Sequence, residues 1–176
     1  SSYAENFPGI VMSIDLLSTM YAGFNAYAEM AQMNGEDVKA KEARAKAQLY
    51  RQIVEERFWD AEHNRYNTFW TEAGEFKRGE GAPFVLWFGV TDNPERIRAL
   101  VKDILNIEWN VENLSAFPAF LYKYGYADEA YRHLIALPKM KRSEYPEVSF
   151  GVVEGIVCGA MCIRPSFSKK QIATCS

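Results

Sequence analysis

Three stretches of this 176-residue chain gather carboxylates, amides and aromatic rings. The first, residues 61–81, holds Glu72, Glu75 and Glu80 with Trp70, Phe76 and Arg78. The second, residues 106–115, places Glu108 and Glu112 beside Trp109, Asn110 and Asn113. The third, residues 138–147, offers Glu144, Tyr145 and Glu147. Such residue types suit cleavage of a bond between sugars. That reaction needs two carboxyl groups flanking the bond, one protonated to assist the leaving oxygen and one ionised to activate water or to attack. Aromatic rings suit the apolar faces of a sugar, and amide side chains suit its hydroxyls. Loop glutamates are common, so composition alone is a weak signal, and each candidate also has a plain structural role. Glu147 opens an apolar helix, where the dipole favours a carboxylate whatever the function. Glu112 precedes Ser115, which reads as a helix N-cap, and serves equally well as a solvated residue.

Other chemistries find less support. His63 and His133 are too isolated to suggest a metal site or acid–base work. The sequence has no GxSxG, P-loop or GxGxxG match, so no cofactor is implied. Three cysteines near one end, Cys158, Cys162 and Cys175, make neither a disulfide framework nor a zinc pattern, and no metal is implied. Cys158 and Cys162, four apart in an apolar run, read as small core residues. Glu154, in the same run, must be paired or line a cavity, because an unpaired buried charge is costly.

The elements that must position these stretches are helices of two kinds. Residues 13–34 form a helix apolar nearly all round, with Ser13 as N-cap, Asp15 in the first turn and no further charge before Glu29. Such a helix is expected to be buried on nearly every side. After Asn34-Gly35, a C-cap pair, residues 37–60 are amphipathic. Ala43, Ala47, Tyr50, Val54 and Phe58 mark the dry stripe of that helix. The contrast repeats: 82–90 apolar, 94–105 amphipathic, 116–124 apolar and aromatic, 127–137 amphipathic, 148–163 apolar. Residues 63–77 alternate and turn at Ala73-Gly74, the pattern of one short β-hairpin. Three and a half helical hairpins in two layers are the result, an all-α fold of the α/α-toroid or solenoid kind. Links from wet to dry helices are the long ones, so the face at the N-termini of the dry helices is where function is sought.

Composition sets the outer bounds. Apolar residues make up 48% and the net charge is −3, which disfavours disorder and a phosphate-binding surface for nucleic acid. No run of about 18 apolar residues appears that would span a membrane. Aromatic residues at 14% are plentiful enough to serve both a core and a ligand cleft.

The phrase Ser13-Ile-Asp-Leu-Leu-Ser-Thr-Met-Tyr21, leading to Phe58-Trp-Asp-Ala-Glu-His-Asn-Arg-Tyr66, resembles the six-hairpin glycosidase superfamily. It is most similar to α-glucosidase-like members with an (α/α)6 catalytic toroid. The closing phrase Tyr145-Pro-Glu-Val-Ser-Phe-Gly-Val-Val-Glu154, continuing to Pro165, is similar to the last inner helix of such a ring. The resemblance covers residues 10–165 and implies a glycoside hydrolase, inverting, acting on oligosaccharides or glycans in a periplasmic or secreted setting. It implies a general acid upstream of the Ile-Asp-Leu helix, with no matched position in this chain. It also implies a base in the loop before the last inner helix, which makes Glu147 the candidate and Glu112 the fallback. Trp109, Asn110, Tyr145, Trp70 and Arg78 are then the expected substrate contacts.

A partial ring of three and a half hairpins is expected to be the C-terminal portion of a larger catalytic domain. Residues 10–165 would be toroid helices and 166–176 an exit segment. Alone it would be inactive and expose apolar flanks of its inner helices, to be covered by the remainder of the toroid or by self-association. The alternative is a helical-repeat interaction module similar to tetratricopeptide arrays, suggested by Tyr124-Gly-Tyr-Ala-Asp-Glu-Ala-Tyr-Arg-His-Leu134. Against it, inner helices starting near 14, 82, 116 and 148 are spaced by about 68, 34 and 32 residues, whereas a solenoid keeps one period.

Overall fold

The computed structural model describes residues 8–106, 111–140, 145–166 and 169–174, apart from the side chains of 111–113 and 147. Two compact units divide the chain, Ser1–Asn106 and Ile107–Ser176. The fold is mostly helical, with small antiparallel sheets.

In the first unit a short strand, β1 (Ile10–Ser13), runs directly into α1 (Ile14–Met33). Ser13 has the extended backbone of an N-cap, though its hydroxyl makes no cap bond. Asn34 and Gly35 close the helix. Gly35, at φ +76°, takes the left-handed turn that lets Glu36 N–H reach the Ala31 carbonyl at 2.9 Å. The next helix, α2 (Asp37–Ile53), continues into a π-helical turn, Val54–Phe58. The two helices pack through alanines: Ala28 and Ala31 from α1, with Ala40, Ala43 and Ala47 from α2, are all buried. Of the stripe expected on α2, all but half-buried Tyr50 is buried.

The expectation for α1 needs correction. Ile14, Leu17, Ala28 and Ala31 are buried, but Leu16 is 42% exposed, Tyr27 45% and Met30 57%. An apolar sequence marks which faces are able to be buried. Burial itself requires a neighbour, and α2 and the short helix α3 (Pro83–Trp87) cover only part of the circumference.

Between α2 and α3 come β2 (Trp59–Asp60), β3 (Arg65–Tyr66), β4 (Phe69–Thr71) and β5 (Phe76–Lys77). β4 and β5 form the expected hairpin, Trp70 opposite Phe76, with Gly74 in its turn at φ +75°. It is not the only ladder. β1 adds to its free edge, Ser13 opposite Phe69, and β2 pairs with β3, Trp59 opposite Tyr66. α4 (Pro94–Leu105) ends the unit; Asn93 caps it by accepting from the N–H groups of Glu95 and Arg96.

The second unit holds α5 (Val111–Lys123), α6 (Ala127–Ala136) and α7 (Pro146–Glu154). Ser115 is no N-cap: it lies inside α5, 5% exposed. α7 passes into a π-helical turn, Gly155–Ala160, and then into a hairpin of β6 (Ile163–Ser166) and β7 (Gln171–Thr174). The last apolar helix therefore stops short of Ile163, which begins a strand. Contact between α5 and α7 depends on glycine. A Cβ on Gly151 would stand 2.2 Å from the Ser115 carbonyl oxygen, one on Gly155 2.8 Å from Pro118, and one on Gly159 2.7 Å from Tyr122. With the glycines inward, the large side chains of α7 and its extension point away: Phe150 is 73% exposed and Val153 58%. Cys158 is a free, half-buried thiol, as a small core residue would be, whereas Cys162 is disulfide-bonded and so departs from the core reading.

Candidate functional site

In the first unit, the long link after β5 is fixed to the start of α1. Ile14 N–H donates to the Thr68 carbonyl at 2.9 Å, and Thr68 N–H donates to the Lys77 carbonyl at 3.0 Å. The Thr68 hydroxyl donates to the Gly79 carbonyl at 3.1 Å and accepts from its N–H at 3.3 Å. Gly81 then passes at φ +127°, where a Cβ would meet Thr68 at 3.1 Å and Asp15 at 3.4 Å. This packing leaves Asp15 4% exposed and Ser13 and Thr68 1%. A carboxylate thus sits almost out of solvent where the long link meets an inner-type helix. Sequence reasoning had read Asp15 only as a match to the helix dipole. Its being the sole charge before Glu29 in an apolar helix was the available signal.

Two expected substrate contacts lie in this unit. Trp70, in β4, meets Phe76 edge-on, centroids 4.8 Å apart. Arg78 forms an ion pair with Asp103 of α4, which fastens the link to that helix. The loop glutamates nearby divide. Glu72 is exposed, and Glu75 is exposed and pairs with Lys77 at 2.7 Å, whose bond and charge hold it below the usual carboxylate range.

A denser polar cluster surrounds the π-helical turn. The Tyr66 hydroxyl donates to the Glu55 carboxylate at 2.6 Å, and Arg96 donates to that carboxylate at 2.7 Å and to the Glu55 carbonyl at 2.8 Å. The guanidinium also lies 4.7 Å from the centre of the Trp59 ring. Burial, then the neighbouring carboxylate, pushes the Tyr66 phenol well above its ordinary value. This is a structural tie: each group faces another protein group. Nearby, burial acts to raise Asp60. The His63 N–H at 3.2 Å and ring nitrogen at 2.8 Å, with Arg65 at 3.8 Å, outweigh it and hold the carboxyl below its usual value.

In the second unit, Glu147 follows Pro146 in the first turn of α7, and Glu112 lies in the first turn of α5. Neither side chain is among those described, and Trp109 and Asn110 lie outside the described residues altogether. Tyr145 holds the N-cap position of α7 and packs on a cluster built around Leu137 and Val148. His133 is half-buried with its ring edge against Phe117, 5.5 Å between centroids; burial and then the Arg132 charge lower its pKa. His63 is thus bonded to Asp60, and His133 packs on a ring. Among the described residues, no helix is long and apolar enough to cross a membrane.

The family model for the mannosylglycerate hydrolase MGH1-like glycoside hydrolase domain matches residues 5–113, more than half of the chain. The match takes in β1–β5 and α1–α4 and reaches the start of α5. No curated protein matches the chain.

Proposed function

The chain belongs to the MGH1-like glycoside hydrolase family, and we propose that it forms part of an (α/α)-toroid catalytic domain that cleaves glycosidic bonds with inversion. The family match carries this reading. The alternation of helix pairs and the exposed apolar faces of α1 and α7 support a partial ring, faces to be covered by the remainder of the toroid or by a second copy. The helical-repeat alternative draws nothing from the match.

In this reading Glu147 is the base that activates water. Pro146 restrains the backbone before it, and the N-terminus of α7 stabilises a carboxylate that must be ionised to work. Glu112, also in a first turn, is the fallback. Trp109 and Asn110 contact the sugar. Tyr145, Trp70 and Arg78 are further sugar-contact candidates, each held within its own unit. The general acid is assigned to no residue of this chain.

The family's name supplies the first substrate to try, mannosylglycerate, beside a panel of aryl glycosides and oligosaccharides. Hydrolysis of any of them with an inverted product anomer, read by proton NMR, supports the proposal; a retained anomer removes the inverting mechanism. The assay belongs to the whole catalytic domain, since this portion alone is expected to be inactive; no turnover of any compound by that domain counts against hydrolysis. In the active enzyme, Glu147→Gln should lower kcat by about a hundredfold or more with substrate binding little changed. Wild-type turnover in that variant transfers the role to Glu112.

A further inference from the structure

Helix α3 sorts a charge-free sequence into two faces. Residues 81–91 contain no charged side chain. Val85, Leu86 and Val90 are fully buried, whereas Phe84, Trp87 and Phe88 are only half-buried. These three rings form one cluster. Trp87 and Phe88 are parallel within 7°, centroids 5.6 Å apart, and Phe84 leans on them at 5.5 and 5.8 Å. Phe88 therefore stacks on the indole, and Trp87 as a residue stays half-buried.

The other described tryptophans are used differently. Trp59 carries the Arg96 guanidinium on its ring and the edge of Tyr66 at 4.9 Å. Trp70 is pinned in the sheet by Phe76. Trp87, by contrast, has two phenylalanines as described ring partners, Phe84 and Phe88. Its base is rigid, because the link before α3 is fastened to the start of α1 through Thr68, Gly79 and Gly81.

We infer that Trp87, backed by Phe88 and Phe84, is a stacking platform for one pyranose ring of a glycoside. The inference rests on the glycosidase reading above and adds to it a binding residue that the loop motifs did not suggest. The negative face of an indole attracts the C–H bonds on one side of a pyranose, and residues 81–91 bring no charged side chain of their own to the ring. Three clustered rings give up part of the burial that Val85 and Leu86 obtain, and a bound sugar restores it.

The test titrates the full chain with methyl α-mannoside and, separately, with maltotriose, following the indole N–H signals by NMR. The Trp87 signal is the one absent in Trp87→Phe. Movement of that signal with either sugar is expected. Trp87→Ala should weaken binding about tenfold, while Trp87→Phe, which keeps a ring, should stay within about threefold. Circular dichroism of both variants separates lost binding from lost folding, and Trp87→Phe carries the test if Trp87→Ala unfolds. A Trp87 signal unmoved at saturating concentrations of both sugars overturns the inference, as does equal affinity in folded Trp87→Ala. A change of oligomeric state in Trp87→Phe without a change in sugar affinity also overturns it, because the rings then serve a protein contact. Sugar binding through Trp87 with no hydrolysis by the whole catalytic domain would keep the platform and remove the catalytic reading; hydrolysis by that domain with an indifferent Trp87 would do the reverse.

Discussion

Each unit carries a π-helical turn at the end of a helix, Val54–Phe58 after α2 in the first and Gly155–Ala160 after α7 in the second. Such a turn disturbs the regular i→i−4 ladder, so its carbonyls need other partners. Both units answer with an arginine. Arg96 donates to the Glu55 carbonyl at 2.8 Å, and Arg164 donates to the Cys158 carbonyl at 3.3 Å. Beyond that they diverge. The first turn is held by side chains: Arg96 also grips the Glu55 carboxylate, Tyr66 adds a second bond, and Phe58 is sealed beneath. The second is held by the absence of side chains, since Gly155 and Gly159 let it close on Pro118 and Tyr122. One arrangement is secured by polar bonds and tolerates size; the other is secured by fit and tolerates none.

The sharpest way to break that comparison is to add one carbon. Gly151→Ala places a Cβ against the Ser115 backbone, which cannot rotate away, and should destabilise the second unit by about 3 kcal/mol. Urea unfolding followed by circular dichroism measures it; a loss below about 1 kcal/mol means that α5 and α7 do not approach so closely.

Next in size is the polar tie. Arg96→Met keeps an apolar stem near Trp59 but leaves the half-buried Glu55 without its cation, at a cost of about 2 kcal/mol. Faster amide exchange confined to the first unit is the expected signature. Exchange rates unchanged around residues 54–58 would show that the arginine is not what holds the turn.

Glycine in α1 makes the opposite case. Nothing lies within 4 Å of a Cβ built on Gly23. Gly23→Ala should therefore stabilise the first unit by about 0.5–1 kcal/mol through helix propensity alone. A loss of stability there would reveal a neighbour close to that face.

The smallest effect is one of pH. His133 has its folded-state pKa depressed below its ordinary value, first by burial and then by Arg132. The unfolded chain therefore takes up the proton first, and the second unit should lose stability as pH falls below about 6.5, the loss levelling off beneath the folded pKa. Thermal melts between about pH 7.5 and 5 should show this slope, and His133→Gln should flatten it.

Local rules in the sequence reached the boundaries of α1 and α4, the stripe of α2 and the β4–β5 hairpin. Each is set by signals a few residues apart: Asn34-Gly35, Asn93-Pro94, alanines at helical spacing, Ala73-Gly74. β1 was not legible because four residues become a strand only when an edge is offered, here by β4. The Ser115 cap failed because α5 starts one turn earlier. Ile163 was read into a helix because apolar residues suit either state, and pairing with Thr174 decides for the strand.

Sequence by itself determined the class of the molecule: apolar periodicity dictates paired helices, and the phrases around Ile14-Asp15-Leu16 and Phe58-Trp59-Asp60 point to a glycoside hydrolase, in keeping with the family match. Tertiary structure decided which apolar faces find cover and which carboxylates leave solvent. Asp15 is buried because Gly81 and Thr68 close over it, α7 turns its glycines inward because α5 comes near enough to require them, and Trp87 stays half-open while Leu86 beside it does not. Those outcomes depend on contacts between residues far apart in the chain, whereas helical periodicity records only which side of a helix is able to be dry.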